Sequence, residues 1–371
     1  MKILLWTDSD GFAGTERHCL DLAQGLEAVG VSVLLGSPSG SPLAEKAEAA
    51  GIEVVKLDMK HSPASGLLKV ARLLRAKGVD VVHTHNGVST FFACLAAERA
   101  GLGKIVVTQH FITPAREFRR GMARLMSDGV HRWIRPRVAR WIAISEAVAT
   151  AMRGRGDVLG GKLRVVRNGV AAPCSGEPSA QEARRWVGLP EEGLVLLCPA
   201  RLETEKGHFT LLKALEILYG EGQQFDAVLL GGGSLEEALK RRITTLDLRN
   251  CVRAVGHQSR PDVWMRASDI VVLPSPAEPF GLVLAEAMSR GIPVVAAAAG
   301  GPLEIVEPES GLLFEPDNAQ DLAERLRELI LNPLLRARLG AGGAERWRCH
   351  FSSQRMAAEM RVVYAEVSED G

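Results

Sequence analysis

Two carboxylates eight positions apart, Glu278 and Glu286, flank the turn Pro279-Phe280-Gly281-Leu282 within IVVLPSPAEPFGLVLAEAMSR (270–290). The apolar run Ile270–Leu273 reads as a strand, and the segment from Gly281 onward reads as a helix. A helix start leaves backbone N–H groups unpaired and carries the positive end of the macrodipole, so an anion over Gly281 and Leu282 needs no basic side chain there. At 1.5 Å per residue Glu286 lies ~7.5 Å along the helix from Gly281, so the two carboxylates bracket an extended ligand. That spacing suits gripping hydroxyls on either side of a phosphate, and it argues against a glycosidase pair, whose carboxyl groups flank one bond.

Cations stand nearby in PARLETEKG (199–207), where Arg201 and Lys206 follow a strand end and precede a helix, so both can converge on the same phosphates. Gly231 and Gly232, in LLGGGSLEE (229–237), form a second glycine-rich turn that lets a nucleotide approach the backbone. The first half of the chain adds DSDGFAGTERH (8–18), in which Gly11 and Gly14 open the backbone ahead of a helix beginning near Thr15. The same turn is also satisfied by Thr15 acting as a plain helix cap, and it lacks G-x-G-x-x-G spacing. His110, ending TQH (108–110), is a candidate partner for a substrate hydroxyl, with a surface histidine as the alternative. His83 and His85 of HTHN share a face of an extended segment, and a metal site with His110 is conceivable; with neither acid nor thiol beside them they read as packed strand-end histidines, and no metal is assigned. Arginines at 116, 119, 120, 124, 132, 135, 137 and 140 alternate with Phe118, Leu125, Met126, Trp133, Ile134 and Trp141. Such a surface can rest on an anionic membrane or hold an anionic acceptor, or its apolar members can simply enter the core.

The elements that must position these residues follow a βα rhythm. Short apolar runs at 3–6, 31–35, 52–55, 79–83, 104–108, 141–144 and 163–167 alternate with amphipathic segments, the pattern of a parallel, doubly wound sheet. Between 171 and 193 the rhythm breaks in a Pro-, Gly- and Ser-containing stretch that reads as a linker. It resumes with runs at 194–199, 225–230, 251–255, 270–273, 293–298 and 311–314, then helices across 318–331 and 344–367. Ligands on such sheets bind beyond the carboxyl ends of the strands, which is where the candidate residues fall. The expected fold class is α/β, two doubly wound parallel-sheet domains facing a cleft. Their bounds are 1–172 and 173–345, and a helix over 346–371 crosses back to the first, with Met356, Met360 and Val363 on its apolar face.

The 371 residues carry a net charge of +1, which excludes a general attraction to nucleic acid. Six scattered cysteines without a C-x-x-C pair read as packed, reduced thiols, and the apolar start MKILLW ends too soon for a signal peptide, so the expected location is cytoplasmic.

Together, the Gly-Thr-Glu turn, the H-x-H strand end, NGV at 168–170, A-R-L-x-x-x-K-G, the GGGS turn and E-P-F-G-L-x-x-x-E resemble the retaining GT-B glycosyltransferases of the family 4 group, over residues 1 to about 345. The resemblance implies two Rossmann-like domains, with a sugar nucleotide held mostly by the second and a glycan or glycolipid acceptor by the first. It implies that Glu278 contacts donor sugar hydroxyls, Glu286 the ribose, and Gly281 with Leu282, Arg201 and Lys206 the diphosphate. Phe280 lies within the same donor motif, and His110 and the Gly14 turn face the reacting sugar and acceptor. The implied activity is retaining, metal-independent hexosyl transfer from a UDP- or GDP-sugar, with no cofactor beyond that donor, in cell-envelope glycan, lipopolysaccharide or glycolipid synthesis. The Arg-rich 116–140 segment is the candidate for peripheral contact with the inner face of a membrane. The alternatives are an inactive sugar-nucleotide-binding protein of the same fold and another sugar-nucleotide enzyme such as an epimerase.

Overall fold

The computed structural model describes residues 1–59 and 63–369. The chain divides into two compact units, Met1–Ala171 with Phe351–Gly371, and Ala172–His350.

In the first unit, strands β1 (Lys2–Trp6), β2 (Ser32–Ser37), β3 (Glu53–Lys56), β4 (Val81–Thr84), β5 (Ile105–Gln109), β6 (Arg140–Ala143) and β7 (Leu163–Val165) form one sheet. All neighbours are parallel, in the order β3-β2-β1-β4-β5-β6-β7. Parallel strands are covered on both faces, which is why their sequences are continuous apolar runs. The two-residue period sorts β1 cleanly: Ile3 and Leu5 enter one core layer, Leu4 and Trp6 the other. The strand order reverses between β1 and β4, so the segments after them face the crevice where doubly wound sheets bind ligands.

One of those layers is completed by the end of the chain. The helix Ser353–Glu369 buries Met356, Met360, Val363 and Tyr364 against the helix Gly14–Ala28 and the sheet. Gly25 permits the approach, since a Cβ there would lie 2.8 Å from the Ser353 carbonyl oxygen. Gly169 does the same at the strap where Val170 N–H donates to the Phe351 oxygen and Ser353 N–H to the Val170 oxygen. The glycine of NGV is therefore fixed by packing against the tail. The single helical tract expected over 344–367 is two helices, Pro333–His350 and Ser353–Glu369, parted at Phe351 and Ser352, where the chain changes units.

The second unit repeats the design with β8 (Val195–Pro199), β9 (Asp226–Leu230), β10 (Val252–Gly256), β11 (Ile270–Leu273), β12 (Val294–Ala297) and β13 (Gly311–Phe314), in the order β10-β9-β8-β11-β12-β13. Its reversal lies between β8 and β11. The stretch 171–193 is not a structureless linker: Ala180–Val187 is a helix, capped by the Ser179 hydroxyl on Glu182 N–H, with the Glu182 carboxylate returning to Ser179 N–H. Buried Arg184 ties it to the unit through Asp269, at 2.5 Å, and the Ala267 carbonyl.

Candidate functional site

In the second unit, the turns after β8 and β11 are pressed together at the strand-order reversal. Gly207 adopts φ +70°, and a Cβ there would fall 2.1 Å from the Pro274 carbonyl oxygen, so only glycine lets the two turns touch. That contact sets the preceding residue beside the Pro-rich loop: Lys206 Nζ donates to Glu278 Oε2 at 2.7 Å, with both side chains largely buried. The Glu278 loop is strapped from its other side. Gly301 N–H donates to the Glu278 oxygen at 2.9 Å, and a Cβ at Gly301 would lie 2.2 Å from Phe280 Cα. Phe280 itself is buried and anchors the loop from below.

Gly281, at φ +103°, is the N-cap of the helix Leu282–Met288, and Leu284 N–H donates to its oxygen at 2.9 Å; a helix start leaves its opening N–H groups without helical partners. Glu286, half-buried in that helix, has no hydrogen-bond or ion-pair partner for its carboxylate among the described residues. Its backbone oxygen accepts from Ser289 and Arg290, and Arg290 in turn pairs with Glu177 at 2.5 Å. Thus Lys206, Glu278, Phe280, Gly281, Leu282 and Glu286 converge on one loop and helix start.

Arg201 lies apart from that ion pair. Its guanidinium pairs with Glu205 at 2.8 Å, and its side chain is 61% exposed. The GGGS turn is laced to the same segment: Leu202 N–H donates to Gly232 O, and Leu235 N–H to Leu202 O. A Cβ at Gly231 would meet the Ala200 oxygen at 2.2 Å, and one at Gly233 the Leu202 oxygen at 2.4 Å. Gly231 and Gly233 are therefore demanded by this close approach; Gly232, with nothing nearer than 3.5 Å, is the one left open. Two residues absent from the sequence reading hold the segment: Glu203 accepts from Ser234 N–H and hydroxyl, and His208 Nε2 meets the Arg201 carbonyl oxygen at 2.9 Å.

In the first unit, His110 is buried at the end of β5, not on the surface. Its Nε2 lies 3.2 Å from His85 Nδ1, and the His18 ring packs edge-on to it with centroids 4.9 Å apart. Gly14 opens the helix that carries His18, but Thr15 does not cap it; Ala13 is the cap residue, and its N–H donates to Glu16 at 2.8 Å. His83 is satisfied on both sides, by Tyr364 and Thr108 at 2.7 Å each. His18 is held less well: neither ring nitrogen has a partner of full hydrogen-bond geometry, and the facing Asn168 side chain only partly offsets the effect of burial. Burial pushes His18 down to about 4 and holds His83, His85 and His110 well below the usual imidazole range, each also opposed by its neighbours' charge. All four are neutral near pH 7. Ligand nitrogens of His18, His85 and His110 lie within 4.8 Å of one another, a three-imidazole set of metal-ligand spacing that sequence reasoning missed because it paired His110 with HTHN alone.

The Arg-rich segment forms a short 3-10 turn, Ala115–Phe118, and the helix Gly121–Ile134; Trp141 leaves it to become a buried residue of β6. Arg116, Arg124 and Arg137 are paired with Asp157, Glu117 and Glu98. Phe118, Met122, Leu125 and Met126 are at least 66% exposed, so these apolar members do not enter the core. Among the described residues no helix is long and apolar enough to cross a membrane.

A family model described as glycosyl transferases group 1 matches residues 179–346, and one described as glycosyltransferase family 4 matches residues 12–172. The D-inositol 3-phosphate glycosyltransferase of Xylanimonas cellulosilytica is 32% identical, over 84% of this chain and 79% of that protein. The enzyme of the same name from Nocardioides sp. is 28% identical over 96% and 86%. The crystal structure of Anabaena Alr3699/HepE in complex with UDP-glucose superposes with a TM-score of 0.83 at 25% identity, over 99% of this chain and all of that one. With a Rossmann-like sheet in each unit and both family models matched in turn along it, the chain belongs to the family 4 glycosyltransferases of GT-B fold.

Proposed function

We propose that this glycosyltransferase moves a hexosyl group from a UDP- or GDP-sugar to a hydroxyl acceptor with retention of anomeric configuration, without a metal or a cofactor beyond the donor. The observation that carries the reading is the Lys206–Glu278 pair at 2.7 Å beside the Gly281 helix start. In the donor complex Lys206 turns to the diphosphate, joined by Arg201 and the N–H groups of Gly281 and Leu282. Glu278 is then released to accept from sugar hydroxyls, and Glu286 accepts from the ribose. The open backbone at Gly232 admits the nucleoside, while His110 and the Gly14 turn face the reacting sugar and the acceptor. As the bond from the anomeric carbon to the diphosphate oxygen breaks, the acceptor oxygen arrives on the same face and its proton passes to the departing phosphate oxygen. The cations and N–H groups stabilise the charge that develops there, preorganised before reaction. The UDP-glucose complex of the Anabaena protein supports a nucleotide sugar as donor.

The acceptor belongs to glycan or glycolipid synthesis at a cell envelope. Exposed Phe118, Met122, Leu125 and Met126, together with Arg119, Arg120 and Arg132, support peripheral contact with an anionic leaflet. A donor screen by product mass, with the anomeric configuration read by proton NMR and a parallel chelator arm, tests the reading. Turnover of a UDP- or GDP-sugar with retention, abolished in Glu278→Ala, is expected; inversion, or full activity of that variant, refutes the assignment.

A further inference from the structure

A neutral imidazole carries a single ring hydrogen, so the nitrogen that His110 turns to a ligand is either a donor or an acceptor, and the partner of its other nitrogen decides which. His85 directly follows β4 and His110 directly follows β5, adjacent parallel strands, so the two rings meet at the carboxyl edge of the sheet. His110 Nε2 lies 3.2 Å from His85 Nδ1. Burial keeps both rings neutral, so this contact is a hydrogen bond only when one of the two nitrogens carries a hydrogen and the other does not. His83 is under no such constraint, because the hydroxyls of Tyr364 and Thr108 can each donate or accept.

Two arrangements satisfy the bond. If His110 Nε2–H donates, the hydrogen of His85 is forced onto its own Nε2, a buried nitrogen with no partner. Buried N–H groups without an acceptor are rarer than buried acceptors without a donor. If His85 Nδ1–H donates instead, His85 Nε2 is a bare lone pair and His110 carries its hydrogen on Nδ1. That nitrogen has no partner among the described residues, yet it is not one of the enclosed atoms that lack one, so it is the ring atom left for a ligand. His18 packs edge-on against both rings, with centroids 5.3 Å from His85 and 4.9 Å from His110, and restrains them from turning over.

We propose that His85 is a positioning residue that fixes His110 as its Nδ1–H tautomer, so that His110 meets the reacting sugar as a hydrogen-bond donor and not as a base. An N–H aimed at a substrate oxygen orients it without removing its proton, which leaves the acceptor proton to the departing phosphate. Histidine in water favours the opposite tautomer, Nε2–H, so one contact with His85 overrides the intrinsic preference. The role at the sugar rests on the glycosyltransferase reading; the tautomer does not.

The full chain is isotopically labelled at its histidine ring nitrogens, and long-range proton–nitrogen correlation spectra near neutral pH identify the protonated nitrogen of each ring. Signals lost in His110→Phe and His85→Phe assign the two residues. His110 should carry its hydrogen on Nδ1 in the wild type. His85→Phe keeps the bulk of the ring without its donor; there His110 should shift toward Nε2–H, and kcat/KM for UDP-glucose or GDP-mannose should fall about tenfold or more. His85→Asn restores an N–H where Nδ1 stood, so the tautomer should persist and kcat/KM should stay within about threefold of wild type. Nε2–H at His110 in the wild type, a tautomer unmoved in folded His85→Phe, or His85→Asn as impaired as His85→Phe overturns the proposal. Should the variants not fold, the wild-type spectrum decides alone. Full turnover by His110→Phe, or no turnover of either nucleotide sugar by the wild type, overturns the role at the sugar, while Nδ1–H in the spectrum still upholds the tautomer.

Discussion

Acidification should loosen the first unit through His18. This imidazole is buried and met only loosely by Asn168, and burial outweighs that contact to lower its pKa from 6.5 to about 4. The folded state therefore binds fewer protons than the unfolded chain. Stability from this group is fully present above about pH 6.5, declines as the pH falls, and is exhausted below about pH 4. With those two values the contribution lost between about pH 7 and pH 5 is about 2 kcal/mol. For a unit of this size that is about 4–8 °C in Tm. Protonating His18 also disfavours protonation of His83, His85 and His110 beside it, so the four contributions do not add and His18 is counted alone. The assay compares wild type with His18→Gln in urea titrations across that pH range. The variant retains a polar side chain facing Asn168 but cannot titrate, so its stability should fall by about 2 kcal/mol less. Parallel pH profiles for the two proteins would refute the reasoning, whatever the offset between them.

Lys206→Ala should lower kcat/KM for the donor by about 10²–10³-fold, since it removes a cation from the departing phosphate; steady-state kinetics checks this, as they do Arg201→Ala, which should also weaken donor binding. Retention of wild-type kcat/KM by both would remove the diphosphate assignment. Gly301→Ala pushes a methyl group against Phe280 Cα and shifts the Glu278 loop, so kcat/KM should drop about 100-fold while far-UV circular dichroism stays unchanged; activity within threefold of wild type would show that the strap does not set the site. Met122→Asp with Leu125→Asp should abolish co-sedimentation with anionic vesicles and leave donor binding intact, whereas unchanged sedimentation would return the helix Gly121–Ile134 to an ordinary surface role. Exhaustive chelation should leave turnover unchanged; loss restored by zinc would assign a metal to His18, His85 and His110 and end the metal-independent mechanism.

The strands were legible because parallel, doubly covered strands must be continuous apolar runs, and each candidate run overlaps an observed strand. The Glu278 loop was legible for a related reason: its residues lie close together in sequence, so spacing alone puts Glu278, Gly281 and Glu286 on one turn and helix. Contacts made across the fold were not. Lys206 is 72 residues from Glu278, and nothing local distinguishes it from Arg201, which remains largely exposed. The helix Ala180–Val187 hid because it is short and polar, although the Ser179-x-x-Glu182 capping box announces it. His18 sits among charged residues in GTERHC, yet it falls four residues before Leu22 and eight before Leu26, on the buried stripe of its helix. Gly231 suggested ligand access because glycine-rich turns after strands often serve it; here the backbone of Ala200 takes the space.

The tail helix Ser353–Glu369 has a consequence for the order in which the protein is made. Residues that close the first core layer emerge from the ribosome only after all of the intervening unit 172–350. Until Met356, Met360 and Tyr364 arrive, the buried stripe of the helix Gly14–Ala28 has no cover and His83 lacks its tyrosine. The second unit, continuous in sequence, can close while the first still waits, so the nascent chain matures from its middle outward. A stop codon ahead of residue 353 would leave the first unit with an open hydrophobic face.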